Sequence, residues 1–196
     1  MNMTKTLVAT LFLFIFSFAI KAQNSLGITA GTKIVYEVTA STKLKYDMTV
    51  TVKSMSSEAV TFEWYGNGKT GSFTLNKKAM ESATTLIGDF KNGNAGKWDN
   101  QSALIFPMNA FKELNGKGST STKINSEKTA KPFRKVMERP YEYTLNGTKT
   151  TCNAILGAYE GGAKPYVVLV LNDSNLPLMV AMDWNIRITL KSVKTS

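Results

Sequence analysis

The sequence contains no histidine and only one cysteine. Without histidine it has no serine–histidine–aspartate triad, no cysteine–histidine pair and no imidazole to hold zinc. The single cysteine, Cys152, allows no internal disulfide, so the folded state depends on its hydrophobic core. The Gly-x-Ser-x-Gly, P-loop and Rossmann patterns are absent as well. These absences predict a protein without catalytic residues, without a metal site and without a cofactor.

A long apolar run occurs only at the N-terminus. Lys5 precedes "LVATLFLFIFSFAI", and "KAQNS" follows with Ala22 as a small residue. This order is typical of a secretory signal peptide, predicted here as residues 1–22. A membrane anchor, the alternative, needs about 20 apolar residues, and Leu7–Ile20 is shorter. We therefore predict an exported protein, periplasmic or secreted, with no transmembrane span in the mature chain.

Basic residues outnumber acidic ones, 24 to 14, for a net charge of +10. Lys5 and Lys21 lie in the predicted signal peptide, so residues 23–196, predicted to form a single β-rich domain, carry +8. This charge favours contact with anionic glycans, lipid head groups or acidic partners, or it is a solvated lysine-rich surface. The basic segment, Lys117–Arg139, has one aromatic residue, Phe133, which argues against nucleic acid as a partner. The segment is predicted to form a weak hairpin that protrudes from the sheet.

Most of residues 23–196 alternates apolar and polar residues with the period of half-buried strands. The alternating segments are "GTKIVYEVTA", "KYDMTVTVKSM", "AVTFEWY", "SFTL" and "YEYTLNGTKTTCNAIL", the last folded at an Asn146-Gly147 turn. The segment "YVVLVL" is apolar on both faces and must be covered on both. The C-terminal "PLMVAMDWNIRITLKSV" alternates for so long that we predict one long, bent closing strand, Pro177–Val193.

Two segments change to helical spacing. In "NKKAMESATTLIGDFKNG" the apolar residues predict a helix over Ala79–Phe90 that Asn76 can cap. In "PMNAFKELNG" a shorter helix is predicted, with Pro107 in its first turn and Gly116 at its end. The fold class is therefore mainly β (α+β): a strongly curved antiparallel sheet or half-barrel of about nine to eleven strands, wrapped around one or two helices.

Five large side chains fall on the predicted inward face of this sheet and form the candidate binding site: Tyr36, Phe62, Trp64, Met182 and Trp184. Two interpretations remain open. The five residues pack against the first helix as ordinary core, or they line an apolar pocket if the sheet is more open than the helix can fill.

The segments "GTKIVYEVTASTKLKYDMTVTVKSM" and "VLVLNDSNLPLMVAMDW" resemble the first and last parts of TapB-like envelope proteins. The shared features are a Gly-x-x-x-x-Tyr-Glu strand followed by a long alternating strand, and a terminal hairpin with a proline after the turn. Members of that family resemble LolA-type lipoprotein carriers, in which a bent antiparallel sheet surrounds helices. The resemblance implies an exported sheet protein of a Gram-negative bacterial envelope, with an apolar ligand in its concavity. It transfers no site residue.

Polar candidates for chemistry are few. The loop "NDSN", Asn172–Asn175, lacks the ligand spacing of an EF-hand and is predicted to be a turn held by its own side chains. Glu37, Glu63 and Asp183 alternate with apolar neighbours, as solvated strand residues do, although two acids across a cleft would suit a glycosidase. Asp183 and Arg187 are predicted to lie two steps apart on one strand face, without direct contact.

Three functions remain from the sequence. The first is a non-catalytic envelope protein that binds a lipid, an acyl chain or a partner's apolar segment in the concave face of its sheet. The second is a structural or assembly component that docks another envelope protein through the basic segment or a sheet edge. The third is a carboxylate-dependent hydrolase. Nothing in the sequence predicts an oligomer, so a monomer is the expectation.

Overall fold

A computed structural model describes residues 26–41, 44–88, 90, 93, 96–159, 166–184 and 186–196. The predicted signal peptide lies outside these residues. The described chain is mainly β, with two short helices and one large curved sheet that is not a closed barrel. The mainly-β prediction is thus confirmed, but the described residues form thirteen strands, which is more than the nine to eleven predicted.

The strands and helices have the following bounds. They are β1 Lys33–Ser41, β2 Leu44–Met55, β3 Ala59–Gly66, β4 Lys69–Asn76, α1 Lys77–Ser82, β5 Thr85–Leu86, β6 Lys97–Trp98, β7 Gln101–Ser102, α2 Met108–Lys117, β8 Ser119–Ile124, β9 Lys131–Leu145, β10 Thr148–Tyr159, β11 Tyr166–Leu171, β12 Met179–Asp183 and β13 Arg187–Lys194.

The strands lie in the order β6-β4-β3-β2-β1-β13-β12-β11-β10-β9-β8-β5-β7, and most pairs are antiparallel. The register separates two faces. Val168, Met182 and Ile188 are cross-strand neighbours on the core face, which is the face that carries the buried core. Leu169, Ala181 and Thr189 form the matching row on the outer face.

Strand β9 also pairs with a strand that is not its neighbour in this order. The C-terminal end of β9 lies parallel to β13, with Thr144 opposite Ser192 and Leu145 opposite Val193. In addition, the Tyr141 hydroxyl donates to the Leu190 carbonyl at 2.6 Å. The hairpin of β9 and β10 therefore turns back over the outer face and joins strands β9 to β13 into a ring, while the thirteen-stranded sheet as a whole stays open, with β6 and β7 at its two edges.

The first predicted helix is correct at its start and wrong in its length. The Asn76 side chain accepts the Ala79 amide N–H at 2.9 Å, which caps α1 as expected. The helix ends at Ser82, and Thr85–Leu86 is a strand. The backbone carbonyl of Thr84 accepts the amide N–H of Lys123 from β8, so this stretch pairs with the sheet instead of continuing the helix. Its β-branched threonines favour that choice.

The second predicted helix is confirmed over Met108–Lys117. It buries Phe111 and Leu114 and is preceded by Pro107. It ends later than predicted because the left-handed residue that terminates it is Gly118, with φ of 78°.

The predicted closing strand, Pro177–Val193, is two strands. β12 ends at Asp183 and β13 starts at Arg187, and the two pair antiparallel around the short connection between them. Ala181 lies opposite Thr189, and Asp183 lies opposite Arg187. The prediction of one long strand is therefore wrong.

The basic segment forms a hairpin as predicted, from β8 and the start of β9. It does not protrude, because β8 also pairs with β5 and β9 also pairs with β10. Thr120 and Thr122 are buried along β8, and Phe133 is fully buried on β9. Three of its lysines form ion pairs with glutamates: Lys117 with Glu113, Lys131 with Glu127 and Lys135 with Glu138.

In the part of the chain that the structure describes, no helix is long and apolar enough to cross a membrane.

Candidate functional site

Four of the five residues predicted to form the site are buried on the core face. Tyr36, Phe62, Trp64 and Met182 are each at most 4% exposed. The Tyr36 hydroxyl donates to the Met179 carbonyl at 3.1 Å, which ties β1 to β12. Burial raises the pKa of Tyr36 far above its ordinary value, so this hydroxyl stays protonated. These residues are packed as a core is packed.

Trp184, the fifth residue, lies in the turn between β12 and β13 and is half-buried. Its ring meets Tyr166 edge-on, with 6.2 Å between ring centroids. It also packs against Gly88, where any side-chain carbon would overlap the indole ring. Trp184 therefore covers the extended segment that follows β5, and only a glycine at position 88 leaves room for it.

The core face near Trp64 is filled by aromatic side chains. Phe90 packs against Trp64 at 5.7 Å and against Phe73 at 6.1 Å, and Trp98 stacks on Phe73 at 4.7 Å. Trp98 is thus part of the packing. Among the described residues, the Trp64 indole nitrogen is a buried polar atom without a hydrogen-bond partner.

A cavity opens at one end of the core face, between the β2–β3 turn, the two helices and the loop before β12. We call it the methionine mouth because Met55, Met80 and Met108 line it, and all three are half-buried. Its volume is about 250 Å³. The remaining apolar lining comes from Val60, Ile105, Leu176 and Pro177. Methionine is flexible and polarizable, so such a wall adapts to apolar ligands of different shape.

The methionine mouth adjoins a smaller apolar space of about 10 Å³, which Phe62 and Ile34 also line. Both spaces are bordered by Met55, Ile105 and Leu176. Phe62, which lines this space, is one of the predicted site residues.

The rim of the mouth is polar. Ser56, Ser57 and Asn175 contribute neutral groups, and Lys77 and Glu81 contribute opposite charges. Lys77 is also within 3.5 Å of the Glu58 carboxylate, in an exposed ion pair. An apolar interior with a mixed polar rim suits a ligand with a long apolar part and a small polar end.

A second cavity, of about 310 Å³, lies on the outer face inside the ring of β9 to β13. We call it the outer cavity. Leu156, Leu169 and Ala181 form its floor, while Arg139 and Arg187 lie among the residues around it. This cavity could not be predicted from the sequence, because it depends on the way that β9 turns back over the outer face.

Cys152 lies on the outer face of β10, opposite Tyr141. Its thiol is half-buried and donates to the Tyr141 carbonyl at 3.6 Å. Burial raises the pKa of the Cys152 thiol, so its reactive thiolate form is scarcer than in a free cysteine. Burial likewise raises the pKa of Tyr141 to about 12. The surroundings of this thiol are therefore those of an unreactive cysteine.

Each of the three candidate carboxylates lies next to a cation. Glu37 is 2.9 Å from Lys45, and Glu63 is 3.2 Å from Lys53. Asp183 accepts two hydrogen bonds from the Arg187 guanidinium, at 2.8 and 2.6 Å. The prediction that Asp183 and Arg187 do not touch is wrong, since the turn between β12 and β13 places them directly opposite each other.

The "NDSN" loop is a turn held by a side chain, as predicted. The Asp173 carboxylate accepts the amide N–H groups of Asn175 and Leu176, at 2.8 and 3.4 Å. No group of three or more cysteine, aspartate or glutamate side chains is placed to hold a metal ion within the described residues.

Comparisons with protein-family models, curated proteins and solved structures found no match. The resemblance to TapB-like and LolA-type proteins therefore stays a prediction from the sequence.

Proposed function

We propose that this chain is an exported, non-catalytic binding protein of a bacterial envelope that takes up an apolar chain, such as a lipid acyl chain, through the methionine mouth. The observation that carries the proposal is the apolar lining that the mouth shares with the small space beside it, which Phe62 also lines. The ligand would thus reach the core face, on which the sequence predicts the binding site.

Three half-buried methionines at the opening support a ligand that is apolar and variable in shape. Met55 lies at the end of β2, Met80 on α1 and Met108 at the start of α2. Each can change rotamer without disturbing a hydrogen bond, since a thioether makes only weak ones. Movement of these side chains enlarges the opening, and the polar rim keeps the ligand's polar end near water.

Replacing all three methionines with glutamine is expected to weaken binding of the neutral apolar dye Nile red by about tenfold or more. Glutamine has nearly the same length, but its amide loses hydrogen bonds to water when a ligand covers it. The measurement is a fluorescence titration of the purified protein. Met137→Gln is the matched control because Met137 is 51% exposed on β9, away from the mouth.

The control variant should bind the dye as the wild type does. Equal loss in both variants, or no dye binding by the wild type, would contradict the proposal. Denaturant unfolding of each variant shows that the fold is retained.

An assembly role through the basic segment is the second candidate. The observation that favours it is a pair of exposed apolar neighbours on β9, Val136 at 54% and Met137 at 51%. Deleting the segment is not a usable test because β8 and β9 are internal strands of the sheet. If this role is correct, Met137→Gln should release a co-purifying envelope protein. The triple methionine variant should keep it bound.

A further inference from the structure

The outer cavity combines an apolar floor with a cation that has no partner among the described residues. Leu156, Leu169 and Ala181 are successive cross-strand neighbours on β10, β11 and β12, so their side chains form one continuous apolar row. Arg139 lies beside this row on β9 and is exposed. Within the part of the chain that the structure describes, its guanidinium forms no hydrogen bond and no ion pair.

The other charges near the cavity neutralise each other in pairs. Arg187 binds Asp183 at 2.6 Å, Lys45 binds Glu37 at 2.9 Å, and Lys191 binds Asp47 at 2.7 Å. All three pairs lie on the outer face of β12, β13, β1 and β2. Arg139 is therefore the charge left over at the cavity, and its sign is positive.

We propose that the outer cavity binds a small amphipathic monoanion, a carboxylate with a medium-length alkyl tail, whose carboxylate pairs with Arg139 and whose tail covers the apolar row. A guanidinium offers two parallel N–H groups to a carboxylate, which makes such pairs shorter and stronger than neutral hydrogen bonds. Because Arg139 contributes one positive charge that no described acidic residue neutralises, we expect the ligand to carry one negative charge.

The remaining lining fits the same ligand. Thr189 continues the row beyond Ala181 and adds a hydroxyl at its end. The Tyr141 hydroxyl is already committed to the Leu190 carbonyl, so its ring serves as a wall. The volume of about 310 Å³ lies at the lower end of the range for small-ligand pockets, which are typically about 300 to 1,000 Å³, so the tail must be short.

The test is calorimetric titration of the purified protein with octanoate. The wild type is expected to bind it, and Arg139→Gln is expected to weaken binding by about tenfold or more, as the loss of a charged hydrogen bond does. Arg134→Gln is the matched control, since it removes the same charge from the same strand but Arg134 does not line the cavity. It should change the affinity by less than about twofold, because an exposed charge outside the site contributes little.

A second variant fills the cavity. Ala181 is half-buried in the middle of the floor, and Ala181→Phe should abolish octanoate binding while denaturant unfolding remains cooperative. Failure of the wild type to bind octanoate, or equal effects of Arg139→Gln and Arg134→Gln, would overturn the proposal.

This site is independent of the methionine mouth, which opens on the opposite face of the sheet. The triple methionine variant should keep its affinity for octanoate, and Arg139→Gln should keep its affinity for Nile red. If octanoate binding is lost in the triple variant, the anion enters the mouth and the outer cavity is not its site.

Discussion

Replacing Tyr36 with alanine should lower the free energy of unfolding by about 4 kcal/mol, as truncation of a large core aromatic residue does. Tyr36 is fully buried, and its hydroxyl donates to the Met179 carbonyl. Tyr36→Phe removes only the hydrogen bond and should cost about 1 kcal/mol. Urea unfolding monitored by circular dichroism measures both effects.

Tyr65→Ala is the matched control. Tyr65 lies on β3 and is 62% exposed, so its loss should change stability by less than about 0.5 kcal/mol. If Tyr36→Ala costs no more than Tyr65→Ala, the space around Tyr36 is not packed, and the pocket-lining interpretation of the five predicted residues replaces the core interpretation.

Replacing Gly157 with alanine should destabilise the protein by about 3 kcal/mol, because it overpacks the core. A side-chain carbon at position 157 would overlap the ring of Phe133. That ring cannot retreat, since Phe133 is fully buried and Phe106 packs against it at 5.5 Å. The free energy of unfolding in urea again measures the effect.

Gly116→Ala is the control for Gly157→Ala, and the same glycine-to-alanine change is expected to have the opposite effect on stability. Position 116 lies inside α2, and a side-chain carbon there meets nothing within 4 Å. Alanine should therefore stabilise the helix by up to about 1 kcal/mol. Adding Phe133→Leu to Gly157→Ala should recover part of the loss; no recovery would show that the clash with Phe133 is not the cause.

The strands could be predicted from alternation, but the last turn could not. On the two sides of the connection from Asp183 to Arg187, each odd-numbered residue of β12 pairs with an odd-numbered residue of β13, as in Ala181 opposite Thr189. The apolar residues therefore keep the same alternation on both sides of the turn, and one long strand gives the same pattern as two. The Asn146-Gly147 turn was predictable because both residues adopt positive φ, 50° and 84°, which that dipeptide favours.

The first helix could be predicted at its cap and not at its end. The Asn76 cap is local, whereas the end depends on pairing of Thr85–Leu86 with β7 and β8, which are distant in sequence. Ala83 and Leu86 are buried in the extended segment and would face inward in a helix as well, so their spacing could not separate the two.

The candidate sites were the least predictable part. Four of the five predicted residues are buried on one inward face, and Phe62 lines the small apolar space beside the mouth. The methionines of the mouth come from three separate elements, and no local pattern unites Met55, Met80 and Met108. The outer cavity requires the parallel pairing of β9 with β13, which a sequence pattern does not reveal.

The most direct test of apolar-chain binding at the methionine mouth is photolabelling with a neutral, diazirine-bearing long-chain alcohol, followed by peptide mass spectrometry. The label is expected on the peptides that contain Met55, Met80 and Met108, and competition by unlabelled alcohol should reduce it. Label distributed over the exposed apolar side chains elsewhere, at Leu44, Tyr65 and Val136, would contradict binding at the mouth.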